Sequence, residues 1–426
     1  MRGHLARLVW ARRTGDLSTR IRAQRDYLSF VTTRHWPLAV GIAGVLVGVV
    51  TLAPSKWGLG LSVVALIVGF GMFIRDVMLA RKQWSRLQCV AVASPFPAEV
   101  QLPLGYEGAV YLSVQNRGSM LVHPGSDRML QEGPILVETD PTPYRLPAEL
   151  REVAPVALRT MRAGRVIFDG PMLGLRDDLL PAVSGEPRPL RLLRTSFFKQ
   201  VCSAELCQYR VVDRMTGEER DIRREELIDP SGRLVTLSAS RLANNIGIST
   251  LAFTSDDLLL VVHQSQRNVA SARLLAPSGS GTLEPDDLTA AGTGAFLQDV
   301  LVHGMERELC EETGVGADDV LETRVIGFGR WLERGAKPEF FGVTTLKILA
   351  KDVAAAKISS GEKIYTERVS AVFVDLARLR QELDDGYSVD QAPSCPPVVR
   401  DSGSLPLIAG LRAVALNSRG PTAGRS

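Results

Sequence analysis

Three glutamates set the chemistry this chain can attempt. Glu308, Glu311 and Glu312 stand at i, i+3 and i+4, so a helix through them carries all three carboxylates on one face. Like charges stacked this way repel, and a purely structural helix gains nothing from them. A divalent cation reverses the balance: oxygen-rich carboxylate clusters suit Mg2+ or Mn2+, which in turn bind a pyrophosphate and activate water. The same spacing also fits an ordinary solvated acidic face, and spacing alone leaves both readings open.

A second set of residues lies downstream, in the run GFGRWLERGAKPEFF from Gly327 to Phe341. Arg330, Arg334 and Lys337 interleave with Trp331, Phe340 and Phe341 around a glycine. As an exposed loop this run would clamp phosphates with its three cations and stack a base on Trp331 or Phe340. The competing expectation places Phe340 and Phe341 in the core beneath a plain surface loop.

The elements that must carry these groups follow from pattern. The stretch Phe296–Thr313 reads as a helix, stopped by Gly314 at a C-cap position. Before it runs a glycine-rich loop, Pro277 to Gly281. Asn244–Phe253 and Leu258–Gln264 read as a β-hairpin around the polar turn 254–257. A strand near Val369–Val374 and a last helix near Leu405–Leu416 complete the region.

Arg307–Val315, RELCEETGV, closely resembles the second half of the Nudix box. In that family a glycine is followed by a glutamate six residues later, and eight further on by an Arg-Glu-aliphatic-x-Glu-Glu-x-Gly-aliphatic run. The resemblance implies an α/β/α sandwich, with Glu308, Glu311 and Glu312 as catalytic, metal-binding residues for Mg2+ or Mn2+. Arg307 falls on the arginine that pairs with the earlier acid. Two positions depart from the pattern: Thr293 stands at the glycine, flanked by Gly292 and Gly294, and Asp299 at the glutamate, short but able to pair with Arg307.

Two uncharged runs precede all of this, from Pro37 to Ala53 and from Trp57 to Ile74, joined by Pro54, Ser55 and Lys56. Each is about 26 Å long as a helix, against a hydrocarbon core of about 30 Å. They predict a two-helix transmembrane hairpin over residues 36–75. Arg34 before it and Arg75, Arg81, Lys82 and Arg86 after it place both flanks in the cytosol by the positive-inside rule. Residues 1–35 form a basic cytosolic segment, and 76–235 a mixed α/β linker domain of short strands and helices. The Nudix domain is expected over 236–417, with a disordered tail over 418–426. The fold expected is thus α+β: a membrane hairpin, a mixed region and a C-terminal sandwich.

Composition narrows the classes of function. With 50 Lys and Arg against 47 Asp and Glu in 426 residues, the net charge is +3, too balanced for binding duplex DNA or RNA directly. The cysteines, Cys89, Cys202, Cys207, Cys310 and Cys395, show no zinc-ligand spacing. Five histidines make a His-based site improbable on numbers alone.

The whole layout resembles the two-transmembrane Nudix effectors of bacterial antiphage cyclic-oligonucleotide signalling (CBASS). The resemblance implies a multi-pass inner-membrane protein whose Nudix domain senses a cyclic nucleotide through Arg330, Trp331, Arg334 and Lys337. It implies that the protein assembles as a homo-oligomer and disrupts the bilayer. The alternative is a membrane-anchored, Mg2+-dependent hydrolase of a nucleoside-diphosphate-linked substrate. The retained glutamates favour the hydrolase, and the hairpin favours the effector.

Overall fold

The structure is a computed structural model. It describes residues 21–30, 67–92 in part, 96, 100–163, 167–181, 189–265, 273–353 and 366–417.

A nine-stranded sheet organises the chain. Its strands are β1 (Val110–Val114), β2 (Gly118–Val122), β3 (Gly247–Phe253), β4 (Leu258–Gln264), β5 (Leu275–Ala276), β6 (Gly279–Thr282), β7 (Val320–Trp331), β8 (Lys337–Leu346) and β9 (Thr366–Phe373). The order is β5-β4-β3-β8-β7-β2-β1, with β6 pairing β3 and β9 pairing β4. The β3–β8 pair is parallel, with Ser249 opposite Phe341, and it sits between antiparallel neighbours. Two further sheets of three strands each lie outside this one.

Five helices matter for the site: α1 (Pro124–Glu132), α2 (Ala148–Arg162), α3 (Pro285–Ala291), α4 (Leu297–Thr313) and α5 (Leu405–Asn417). Alternation along the central strands sends neighbouring side chains to opposite faces. Ile248 therefore packs against Gly304 of α4, while Leu251 packs against Gly410 of α5. On the α4 side, Val300, Leu301 and Met305 join Phe328 and Phe340 in one apolar cluster. On the α5 side, Leu407, Ile408 and Leu411 join Leu251 and Phe341 in another. Both faces of the sheet are covered. Gly314 adopts the left-handed conformation (φ 74°) that ends α4, its N–H bonding the Cys310 carbonyl.

Two expectations change here. The hairpin of transmembrane helices is corrected: among the described residues, no helix is long and apolar enough to cross a membrane. The chain is instead a mixed α/β structure built on a large sheet. The run 37–53 and most of 57–74 lie outside the described residues. The physical reason is in the composition of the runs. They are short for a bilayer core, and Gly41, Gly44, Gly48, Gly58, Gly60, Gly69 and Gly71 add length without apolar surface. The basic segment 1–35 is described only over 21–30, which is helical, and the tail 418–426 lies outside the described residues.

The second change concerns the middle of the chain. The boundary at 235/236 does not separate two sheets, because β1 and β2 extend the sheet that carries the C-terminal strands. Val122 stands opposite Gly329, and Met120 opposite Trp331. Those two strands have no chemistry-bearing motif of their own, so their destination depended on an edge contributed from two hundred residues later.

Candidate active site

The site is built where α4 crosses β6. Chain direction along β6 brings Gly279, Ser280 and Gly281 directly under the C-terminal turns of α4. A Cβ on Gly279 would lie 2.5 Å from the Leu309 backbone nitrogen, and one on Gly281 would lie 2.0 Å from Oε1 of Glu308. Neither position has room for a side chain, which explains the glycines that flank Ser280.

The two inner glutamates are held by this loop and by their own helix. Glu312, 4% exposed, accepts a hydrogen bond from the Ser280 backbone N–H at 2.9 Å. Glu308 lies over Gly281 and accepts from Nη1 of Arg307 at 2.9 Å. Glu311 is the most open of the three, with 43% of its side chain exposed and Oε2 3.8 Å from Arg307.

Arg307 organises the acids, but its partner is not Asp299. Its Nε donates to Oδ1 of Asp287 and its Nη2 to Oδ2, both at 2.9 Å, and Nη2 also reaches the Thr282 carbonyl at 3.2 Å. The expected Asp299–Arg307 pair is therefore corrected. Eight residues apart on one straight helix are separated by about 12 Å along the axis, beyond side-chain contact. Asp287 comes from α3 instead, where it also receives the Glu284 backbone N–H at 2.8 Å in a capping box. Burial works against the charge of Arg307, but the hydrogen bonds to Asp287 and the nearby charge of Glu308 outweigh it and raise its pKa. Burial likewise raises Glu284, with Arg307 opposing.

The donor chemistry fits a hard divalent cation: three carboxylates on one face, two seated against a loop whose glycines leave the backbone exposed to them. In the arrangement as it stands, no group of three His, Cys, Asp or Glu among the described residues is gathered closely enough to hold a metal. Glu308 is turned to Arg307 and Glu312 to Ser280.

The basic and aromatic run is folded inward. Arg330 is 1% exposed and donates to the carbonyls of Ala336 (3.1 Å) and Val235 (2.8 Å). Arg334 grips the buried Glu205 carboxylate with Nε at 2.8 and 3.1 Å, and its guanidinium lies 4.9 Å from the Trp331 ring centroid. Lys337 pairs with Glu339 at 2.8 Å, both 4% exposed at the side chain. Burial pushes the Lys337 ammonium down, and Glu339 beside it pulls the other way. Trp331 is itself 5% exposed. The structure thus brings Glu308, Glu311 and Glu312 together with Arg307, and places Arg330, Trp331, Arg334 and Lys337 elsewhere, within the protein.

Sequence reasoning missed Asp287, Glu205 and Glu339. Asp287 had a signal, since Glu284, Pro285 and Asp287 form a helix-start signature. Glu339 stands two residues from Lys337, the spacing that shares a strand face. Glu205 is 129 positions away from its partner, and nothing local marks it.

No family model and no curated protein matches the chain. Part of it is similar to solved structures. One is the protein DR0079 from Deinococcus radiodurans, at 11% identity over 38% of this chain and 88% of that one, with a TM-score of 0.22. Another is a MutT protein from Methanosarcina mazei Go1, at 18% identity over 39% and 92%, with a TM-score of 0.22. A third, Tm1382, is described as a putative Nudix hydrolase and is 12% identical over 37% and 68%, with a TM-score of 0.21. The functional reading rests on the site's own geometry.

Proposed function

We propose that the C-terminal part of this chain is a Nudix-type domain that hydrolyses the phosphoanhydride of a nucleoside-diphosphate-linked substrate with Mg2+ or Mn2+. One observation supports this most: Glu308 and Glu312 are seated against Gly281 and Ser280, with Glu311 open to solvent on the same helix. When bound, a divalent cation supplies positive charge to the diphosphate and to an attacking water. Glu308, Glu311 and Glu312 bind and orient it. Arg307 aligns Glu308, and the Ser280 N–H fixes Glu312.

The sensor reading, in which a cyclic nucleotide is bound without turnover, leaned on Arg330, Arg334 and Lys337. Their burial and internal partners favour the hydrolase ahead of it. The test is to incubate the full chain with linear nucleoside-diphosphate-linked substrates and with cyclic nucleotides, in Mg2+, Mn2+ or EDTA. Phosphorus resonances follow cleavage, and calorimetry follows binding. Metal-dependent cleavage of a linear substrate is the expected result. Binding of a cyclic nucleotide without cleavage of any linear one would overturn the proposal in favour of the sensor.

A further inference from the structure

Asp287 is the one carboxylate of the cluster that holds an arginine through both its oxygens while being almost wholly buried, at 3% exposure. It lies on α3, a short helix between the glycine loop and α4. It is also tied to its own element by the Glu284 N–H on Oδ2. Gly304 passes close to the same oxygen: a Cβ there would stand 3.1 Å from Oδ2. The carboxylate is therefore fixed from three sides, by the α3 capping box, by the close passage of α4 and by the guanidinium fork.

The consequence falls on Glu308. Arg307 has three acids within reach: Asp287 by two bonds, Glu308 by one at 2.9 Å, and Glu311 at 3.8 Å. A bidentate carboxylate partner both satisfies and orients a guanidinium, so the shared charge of Arg307 is committed chiefly to Asp287. The remaining Nη1 then contacts Glu308 as an aligning donor instead of neutralising it. With Asp287 uncharged, the same guanidinium would be drawn onto Glu308 and Glu311, where a full positive charge competes with any cation for those oxygens.

We propose that Asp287 is a positioning residue that acts through Arg307 to keep Glu308 and Glu311 available to a divalent cation. The proposal rests on the metal-dependent reading above. It assigns to the inserted helix α3 a role in the site that a purely capping function would not give it.

The test is an Mn2+ titration of the full chain by calorimetry, at a temperature well below the melting transition of every variant. Asp287→Asn keeps the shape and the capping acceptor but removes the charge. Its Mn2+ affinity is expected to fall about 10- to 100-fold, the usual consequence of losing a residue that orients a metal ligand. Asp287→Glu restores the charge and is expected to recover most of that loss. A capping role alone would lower the melting temperature of Asp287→Asn and leave its Mn2+ affinity unchanged, and that result overturns the proposal. Should Asp287→Asn not fold, Arg307→Lys carries the test. It keeps the positive charge but loses the fork, and wild-type affinity in that variant also overturns the proposal. Wild-type chain that binds no Mn2+ overturns the metal reading itself, and the proposal with it.

Discussion

Arg334 and Glu205 meet inside the protein, 129 residues apart in sequence, with the guanidinium Nε 2.8 Å from one carboxylate oxygen and 3.1 Å from the other. Gln200 and Gln208 donate to the same carboxylate at 2.8 and 2.6 Å. The pair joins the turn after β7 to the Ala204–Gln208 segment and so ties the middle of the chain to the C-terminal strands.

From this pair we expect a stability phenotype. Arg334→Ala leaves Glu205 charged and buried without its partner, which typically costs about 3–5 kcal/mol. Urea unfolding of the full chain measures it. A variant as stable as wild type, but deficient in nucleotide binding, would return Arg334 to a ligand-facing role.

The two glycines beneath α4 should separate stability from chemistry. Gly279→Ala forces a methyl group onto the Leu309 backbone, which cannot yield, and overpacking of this kind costs about 1–3 kcal/mol. Gly281→Ala instead meets the end of the Glu308 side chain, which can rotate away. Its melting temperature should change less than that of Gly279→Ala, while substrate turnover falls. Equal losses of stability in both variants would contradict the assignment of Gly281 to the site.

Much of the carrier was legible in sequence, and for a plain reason. The i, i+3, i+4 acids, the glycine stop at Gly314 and the hairpin around 254–257 are local patterns, and local patterns fix helix faces and turns directly. What was not legible depends on distant partners. Arg330, Arg334 and Lys337 alternate with aromatics in the same way whether a strand faces solvent or core. Only Val235, Glu205 and Glu339 decide the matter, and two of these lie far away in sequence. Asp299 was favoured over Asp287 by its place in a motif, although helix rise forbids the contact.

Asp127 gives a pH signature. It is buried at the start of α1, accepts the Phe328 N–H at 2.8 Å, and burial raises its pKa to about 7, against the opposing effects of that N–H and of Arg412. The folded state therefore holds this proton more tightly than the unfolded chain. The stability it contributes is complete below the unfolded value near 4 and is lost as pH rises through about 7. Asp127→Asn should flatten this dependence and be the more stable protein at pH 8, by on the order of a few kcal/mol. Parallel stability curves for the two proteins from pH 4 to 8 would contradict it.

The central claim is that the α4 carboxylates support metal-dependent hydrolysis, and the initial rate of cleavage of a nucleoside-diphosphate-linked substrate across Mg2+ concentration tests it most directly. Wild type, Glu311→Gln and Glu312→Gln are compared, with folding checked by melting temperature. The account predicts cleavage that EDTA abolishes and that each substitution lowers by more than the roughly 10- to 100-fold expected for losing a supporting contact. Cleavage that persists in EDTA, or that proceeds at the wild-type rate in the doubly substituted protein, would reduce the three glutamates to a solvated acidic face.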